Sequence, residues 1–208
     1  MFKHFKAISA ITVFAGVLTG CSTLTPTTET QESYAIYDIK KNPNLKDSEL
    51  SDTIRKALQS SLDGVRISRG IPQSPLPEEP SRFKLEQPLQ ASHMSLMAAS
   101  AGISLRSPTC EHSILTANAS HNSMSSYGES TSFFLCLIPY QSGYHLNLYS
   151  TYTKSTGGFG ARALGHSLAR AVVGDTSSQS QRTFDVIVEE LKKNGAQLTL
   201  VEAFPSAE

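Results

Sequence analysis

Residues 131–153 constrain the fold more than any other stretch of the chain. "TSFFLCLIPY" and "YHLNLYSTYT" are two runs rich in aromatic and β-branched residues, separated only by "QSG". Such residues suit a pleated, half-buried surface, and a short Gly-containing turn joins antiparallel neighbours, so a β-hairpin is predicted. In the second run Tyr144, Leu146 and Leu148 face one way while His145, Asn147 and Thr151 face the other. That alternation predicts one covered face and one wetter face. The preceding "CEHSILTANASHNSM", followed by the loop "SSYGES", supplies a third strand.

Around this hairpin the chain alternates between helical and extended patterns. In "SYAIYDIK" Tyr34, Ile36 and Asp38 alternate with Ala35, Tyr37 and Ile39, as in a strand. "KDSELSDTIRKALQSSLDG" then places Leu50, Ile54, Leu58 and Leu62 on one helical stripe, with Asp47 or Ser48 as the cap and Gly64 as the left-handed stop. "VRISRGI" reads as a short strand, and "RFKLE" as a brief edge strand inside the proline-rich residues 72–88. Proline lacks an amide donor and stiffens the chain, so that segment is expected to be an extended surface loop. "SHMSLMAASAGI" has weak helical spacing. "ARALGHSLARAVVG" predicts a helix of small residues, and "SSQSQRTFDVIVEELKKNG" a stronger one with Phe184, Ile187, Val188 and Leu191 on its apolar face and Gly195 at its end. "AQLTLVEAF" is a last strand. This order predicts an α+β fold, a mainly antiparallel sheet with two or three helices packed on one face. At the level of fold alone it loosely resembles helix-grip and other small two-layer modules of envelope lipoproteins, which carries no activity with it.

The amino-terminal residues indicate where the chain works. Lys3 and Lys6 precede the apolar run "AISAITVFAGVL", which is too short for a bilayer span of roughly 20 residues, and "LTGC" follows. This is the zonation of a secretory signal, and Leu18, Thr19 and Gly20 before Cys21 resemble the lipobox of bacterial lipoprotein precursors. The resemblance implies cleavage before Cys21, a diacylglycerol on its thiol and an acyl chain such as palmitate on the new amino terminus. Ser22, where members held at the inner membrane commonly carry Asp, implies the outer membrane of a two-membrane bacterium. The expected organisation is a signal peptide at 1–20, a lipidated Ser/Thr/Glu-rich tether at 21–32 and one domain at 33–208. No family is identified for that domain.

Charge and cysteine content narrow the partners. Without Lys3 and Lys6 the chain holds 16 basic against 18 acidic residues, and no basic stripe that would neutralise phosphates. Nucleic acid is therefore not an expected partner. With Cys21 lipidated, Cys110 and Cys136 form an even pair, and an oxidising periplasm favours a disulfide between them. Buried free thiols are the alternative.

Motifs for chemistry are sparse. Gly158, Gly160 and Ala163 in "GGFGARALG" satisfy G-x-G-x-x-A, but the strand before them belongs to an antiparallel hairpin, and no acidic residue ends a second parallel strand. No nucleotide, cofactor or metal is expected, and the glycines read as a structural joint. His112, His121 and His145 would make a metal site only if the sheet gathered them, and Ser120 or Ser123 a nucleophile only beside one of them. Asp38, Asp63, Glu78 and Glu79 lack the spacing of a paired-carboxylate site, and no G-x-S-x-G elbow occurs. The expectation is a noncatalytic envelope lipoprotein, held to the membrane through Cys21, whose domain binds an envelope partner or serves assembly. The alternative is a carrier of lipid or small ligands in a sheet–helix pocket.

Overall fold

The computed structural model describes residues 27–43, 45–86, 106–121, 129–156 and 177–205. In chain order these form β1 (Thr27–Lys40), α1 (Asp47–Ser61), β2 (Arg66–Arg69), β3 (Lys84–Glu86), β4 (Ser107–Thr109), β5 (Leu115–His121), β6 (Glu129–Tyr140), β7 (Gly143–Thr156), α2 (Ser177–Lys193) and β8 (Leu198–Phe204). Six strands make one sheet in the order β2-β5-β6-β7-β1-β8, while β3 and β4 pair separately. Every pairing is antiparallel. The expected α+β fold, an antiparallel sheet with helices on one face, is therefore present.

The connections explain why the helices share a face. Counting alternations across the sheet, β1 is parallel to β2 and β7 is parallel to β8, so α1 and α2 each bridge a parallel pair. The two crossovers leave oppositely directed strands in opposite lateral directions, and an in-plane half-turn maps one onto the other. The usual right-handed crossover then sends both helices to the same side of the sheet. Leu50, Ile54, Ala57 and Leu58 of α1 and Phe184, Ile187 and Leu191 of α2 all enter one core with Ile39, Leu135, Leu137, Leu146 and Leu148 of the sheet. Fully burying one such aliphatic side chain stabilises the fold by about 1.5–3 kcal/mol.

The hairpin forms where its residues demand it. Gly143 closes the β6–β7 turn, and a Cβ there would lie 2.1 Å from the Ile39 carbonyl oxygen. Glycine alone permits β1 to come this close. Gly195 ends α2 with φ at +85°, as a left-handed stop requires. The cap of α1 is Lys46, one residue ahead of the expected Asp47 or Ser48. Its main-chain N–H donates to Glu49 Oε2 at 3.2 Å, and the Asp47 carboxylate instead accepts the Tyr144 hydroxyl from β7.

Two further expectations need correction. β1 begins at Thr27, so residues 27–32, expected as tether, belong to the sheet. They lie opposite residues 151–156 of β7, Thr27 beside Thr156 and Glu32 beside Thr151. Thr-rich partners favour strand pairing even where little apolar surface is buried. The second correction concerns the face expected to be wet: His145 is only 8 % exposed and Asn147 only 1 %, because the proline-rich segment crosses over them. The expected helix after Gly160, the weak helix from Ser92 and the glycines Gly158 and Gly160 lie outside the described residues, as does Cys21.

The edges of the sheet differ. β2 is four residues long and carries Arg66 and Arg69, both obstacles to further pairing. β8 has seven residues, with Leu200, Val201 and Phe204 exposed. Its register against β1 steps from Tyr37–Leu200 to Ile36–Glu202, leaving Val201 as a bulge. The bulge moves Leu198 and Leu200 to the helix side and Glu202 and Phe204 to the opposite side. Two copies of β8 paired about Val201 would therefore set residues of opposite faces against each other. The bulge guards the edge against continuous self-pairing.

Candidate functional site: the strap-covered face of the sheet

Period-two alternation sends Tyr34, Ile36 and Asp38 of β1, Phe134, Cys136, Ile138 and Tyr140 of β6, and His145, Asn147 and Tyr149 of β7 to the face away from the helices. Residues 72–86 lie across this face as a strap. Phe83 enters it, 5 % exposed, within a second apolar cluster with Ile36, Phe134, Cys136, Ile138 and Tyr149. Its ring centroid lies 5.5 Å from both Tyr34 and Tyr149. Its main-chain N–H donates to Asn147 Oδ1 at 3.3 Å, which satisfies a polar side chain the strap has buried. At the far end, the Gln141 N–H donates to the Pro77 carbonyl at 3.0 Å, and its amide Nε2 to the Leu76 carbonyl at 3.2 Å.

Beside Phe83, Arg82 forms the outer wall. Its guanidinium donates to Glu202 from both terminal nitrogens, at 2.9 and 3.4 Å, and sits 5.8 Å from the Tyr34 ring centre and 5.5 Å from that of Phe83. The Tyr34 hydroxyl donates to Glu202 at 2.6 Å, and Phe204 stacks on the Tyr34 ring at 5.9 Å. The hydrogen bond from Tyr34, with the Arg82 charge, holds the Glu202 carboxyl below its ordinary range. The ion pair is half exposed, so its charge attraction is worth no more than about 1 kcal/mol. The aromatic contacts contribute more to the wall.

A polar group sits under the strap toward Lys40. Asp38 lies opposite His145 in the β1–β7 register and accepts the Tyr140 hydroxyl at 2.6 Å, while the Tyr140 and His145 rings meet edge to face at 5.8 Å. Burial and the Asp38 carboxylate push the Tyr140 hydroxyl up to about 12. His145 moves downward, since burial outweighs the opposing effects of Asp38 and the Ser81 main chain. At the other end of the strap face the Tyr149 hydroxyl is buried without a well-aligned hydrogen-bond partner among the described residues. Burial first and the nearby Glu32 carboxylate second raise it.

The disulfide fastens this layer. Cys110, just after β4, is joined to Cys136 in the middle of β6, with sulfurs 1.93 Å apart and Cα atoms 6.5 Å apart. Because β3 pairs with β4, the bridge holds the strap's carboxyl end to the sheet. Lys84 and Glu111 add an exposed ion pair at 3.0 Å. Pro80, Ser81, Arg82, Lys84 and Glu111 line a shallow depression, but both of its cations already have carboxylate partners.

The structure does not gather the candidate histidines. His121 is level with Thr131 and, through it, with Tyr152, seven residues along β7 from His145, or roughly 23 Å. His112 is exposed in the turn before β5, with φ at +56°. Among the described residues no group of three or more His, Cys, Asp or Glu side chains could hold a metal ion. Of Asp38, Asp63, Glu78 and Glu79, whose spacing argued for no carboxylate site, Asp38 alone enters the strap-covered group. Sequence reasoning missed Phe83, Arg82 and Glu202; the only local signal was an aromatic residue following a cation inside a proline-rich run. The geometry holds the chain's own extended segment on a sheet face through aromatic, amide and guanidinium contacts. Comparison with protein-family models, curated proteins and solved structures finds no match to this chain.

Proposed function

We propose that the chain is a lipid-anchored lipoprotein of the bacterial envelope, at the outer membrane and facing the periplasm, whose α+β domain is a noncatalytic binding or assembly module. The observation that carries the reading is the sequence Leu18-Thr19-Gly20-Cys21 directly after a basic start and a twelve-residue apolar run. The start of β1 at Thr27 supports a consequence of it. Five residues separate Cys21 from the sheet, a reach of about 20 Å when extended. On this reading the domain stands close to the lipid with the Thr27 end of β1 toward it, in place of floating on a long tether.

The binding role draws support from the strap face, where Arg82, Tyr34 and Phe204 present a guanidinium and aromatic rings at the surface, residue types that dominate protein recognition. The carrier alternative requires space between sheet and helices. Ile39, Leu50, Ile54, Leu137, Leu146, Ile187 and Leu191 fill that layer at 0–1 % exposure, which favours the binding reading. Metabolic labelling with radioactive palmitate tests the anchor: label is expected on the wild type and absent from Cys21→Ser, with the variant unprocessed or soluble. Equal membrane retention and processing of both would reject it. Purification from cross-linked envelopes separates the roles, since the same protein partner lost on Arg82→Ala supports binding and stoichiometric copurified lipid supports carriage.

A further inference from the structure

We propose that residues 72–83 form an acid-released cover over the sheet, with His145 as the titrating group that loosens it. His145 lies 8 % exposed beneath the strap, and its Nδ1 has no hydrogen-bond partner among the described residues. The groups facing it come from every element packed there. β1 supplies the Asp38 carboxylate, already accepting from Tyr140. β6 supplies the Tyr140 ring and hydroxyl. The strap supplies the Ser81 main chain, with the adjacent Arg82 turned to Glu202. On β7, Asn147 points its amide at the His145 carbonyl at 3.4 Å. An imidazolium in this place has lost its water and shares the Asp38 carboxylate with a tyrosine.

The strap can lift without unfolding the domain. Outside Phe83, the described contacts that hold it are two hydrogen bonds from Gln141 and the half-exposed Arg82–Glu202 ion pair, and residues 71–82 are exposed apart from Leu76 and Pro77, which are half buried. Beyond Phe83 the β3–β4 pair and the Cys110–Cys136 bridge retain the chain. Lifting frees His145 to solvent and uncovers Ile36, Phe134 and Ile138. Burial holds His145 below its ordinary value while the cover is closed, and opening restores that value, about 6.5. Between the two values the open form binds more protons, so falling pH favours opening by up to about tenfold for each pH unit that separates them. Acid then exposes an apolar face that neutral pH keeps covered.

Hydrogen exchange on the detergent-solubilised full chain tests this. The protection factor of the Phe83 amide, after correction for the intrinsic rate at each pH, is compared at about pH 7.5 and about pH 5, and is expected to fall about three- to tenfold. Amides of α1 and β6 should keep theirs. In His145→Gln and His145→Asn the difference between the two pH values should vanish. An equal fall in the variants, an unchanged wild type, or a loss shared by α1 and β6 would overturn the proposal. Should neither variant fold, NMR titration of the His145 ring in the wild type decides: a midpoint below about 6.5 supports the cover, and one at or above it refutes it.

Discussion

Replacing Phe83 by Ala removes the side chain that seats the strap. The ring is 5 % exposed in a cluster of six buried residues, meets Tyr34 and Tyr149 at 5.5 Å and lies under the Arg82 guanidinium. Truncating a buried Phe typically costs about 3–5 kcal/mol through lost transfer energy and the cavity left behind. The main-chain bond to Asn147 survives the substitution, since Phe83 contributes its N–H there. The loss cannot exceed the free energy with which the strap docks, because beyond that point the strap peels away and the rest stays folded. We expect a loss of about 3 kcal/mol in urea denaturation of the oxidised protein, with raised amide exchange across residues 76–86. A loss below about 1 kcal/mol with exchange unchanged would show that Phe83 does not seat the strap.

Three other perturbations probe separate parts of the account. Replacing both Cys110 and Cys136 by Ala opens a loop of 26 residues and should cost about 3–4 kcal/mol in the chain-entropy model, read as a lower urea midpoint that reductant no longer changes. Deleting Val201 should straighten β8 against β1, restore matching faces across a paired edge and raise self-association in sedimentation velocity; an unchanged monomer would deny the bulge its guarding role. At alkaline pH the Tyr140 hydroxyl, held up to about 12 in the fold against about 10 unfolded, contributes stability that is present below about pH 10 and lost as pH rises toward 12. Tyr140→Phe should flatten that part of the stability curve, and an identical curve would remove Tyr140 as its source.

How far the fold was readable depended on where each element finds its partners. The β6–β7 hairpin and both described helices carry their own period, because each shows an apolar stripe toward the shared core: Tyr144, Leu146 and Leu148, then Leu50, Ile54 and Leu58, then Phe184, Ile187 and Leu191. The first six residues of β1 carry no apolar alternation, and only pairing with β7 makes them a strand. The strap is harder still, since prolines erase periodicity and Phe83 is buried by a sheet face distant in sequence. His145 and Asn147 read as solvent-facing for the same reason: their polarity says nothing about a segment that arrives from 64 positions away to accept them. Cys110 and Cys136 were legible as a pair by count and by the compartment expected from the amino-terminal residues. The site as a whole was not, because it consists of contacts between β1, β6, β7, β8 and the strap.

The most direct test of the central claim is the mass of the amino-terminal peptide from protein extracted from membranes. The account predicts a peptide that starts at Cys21 and carries a diacylglycerol with an added acyl chain. A peptide starting at Met1, or one containing an unmodified Cys21, would contradict it.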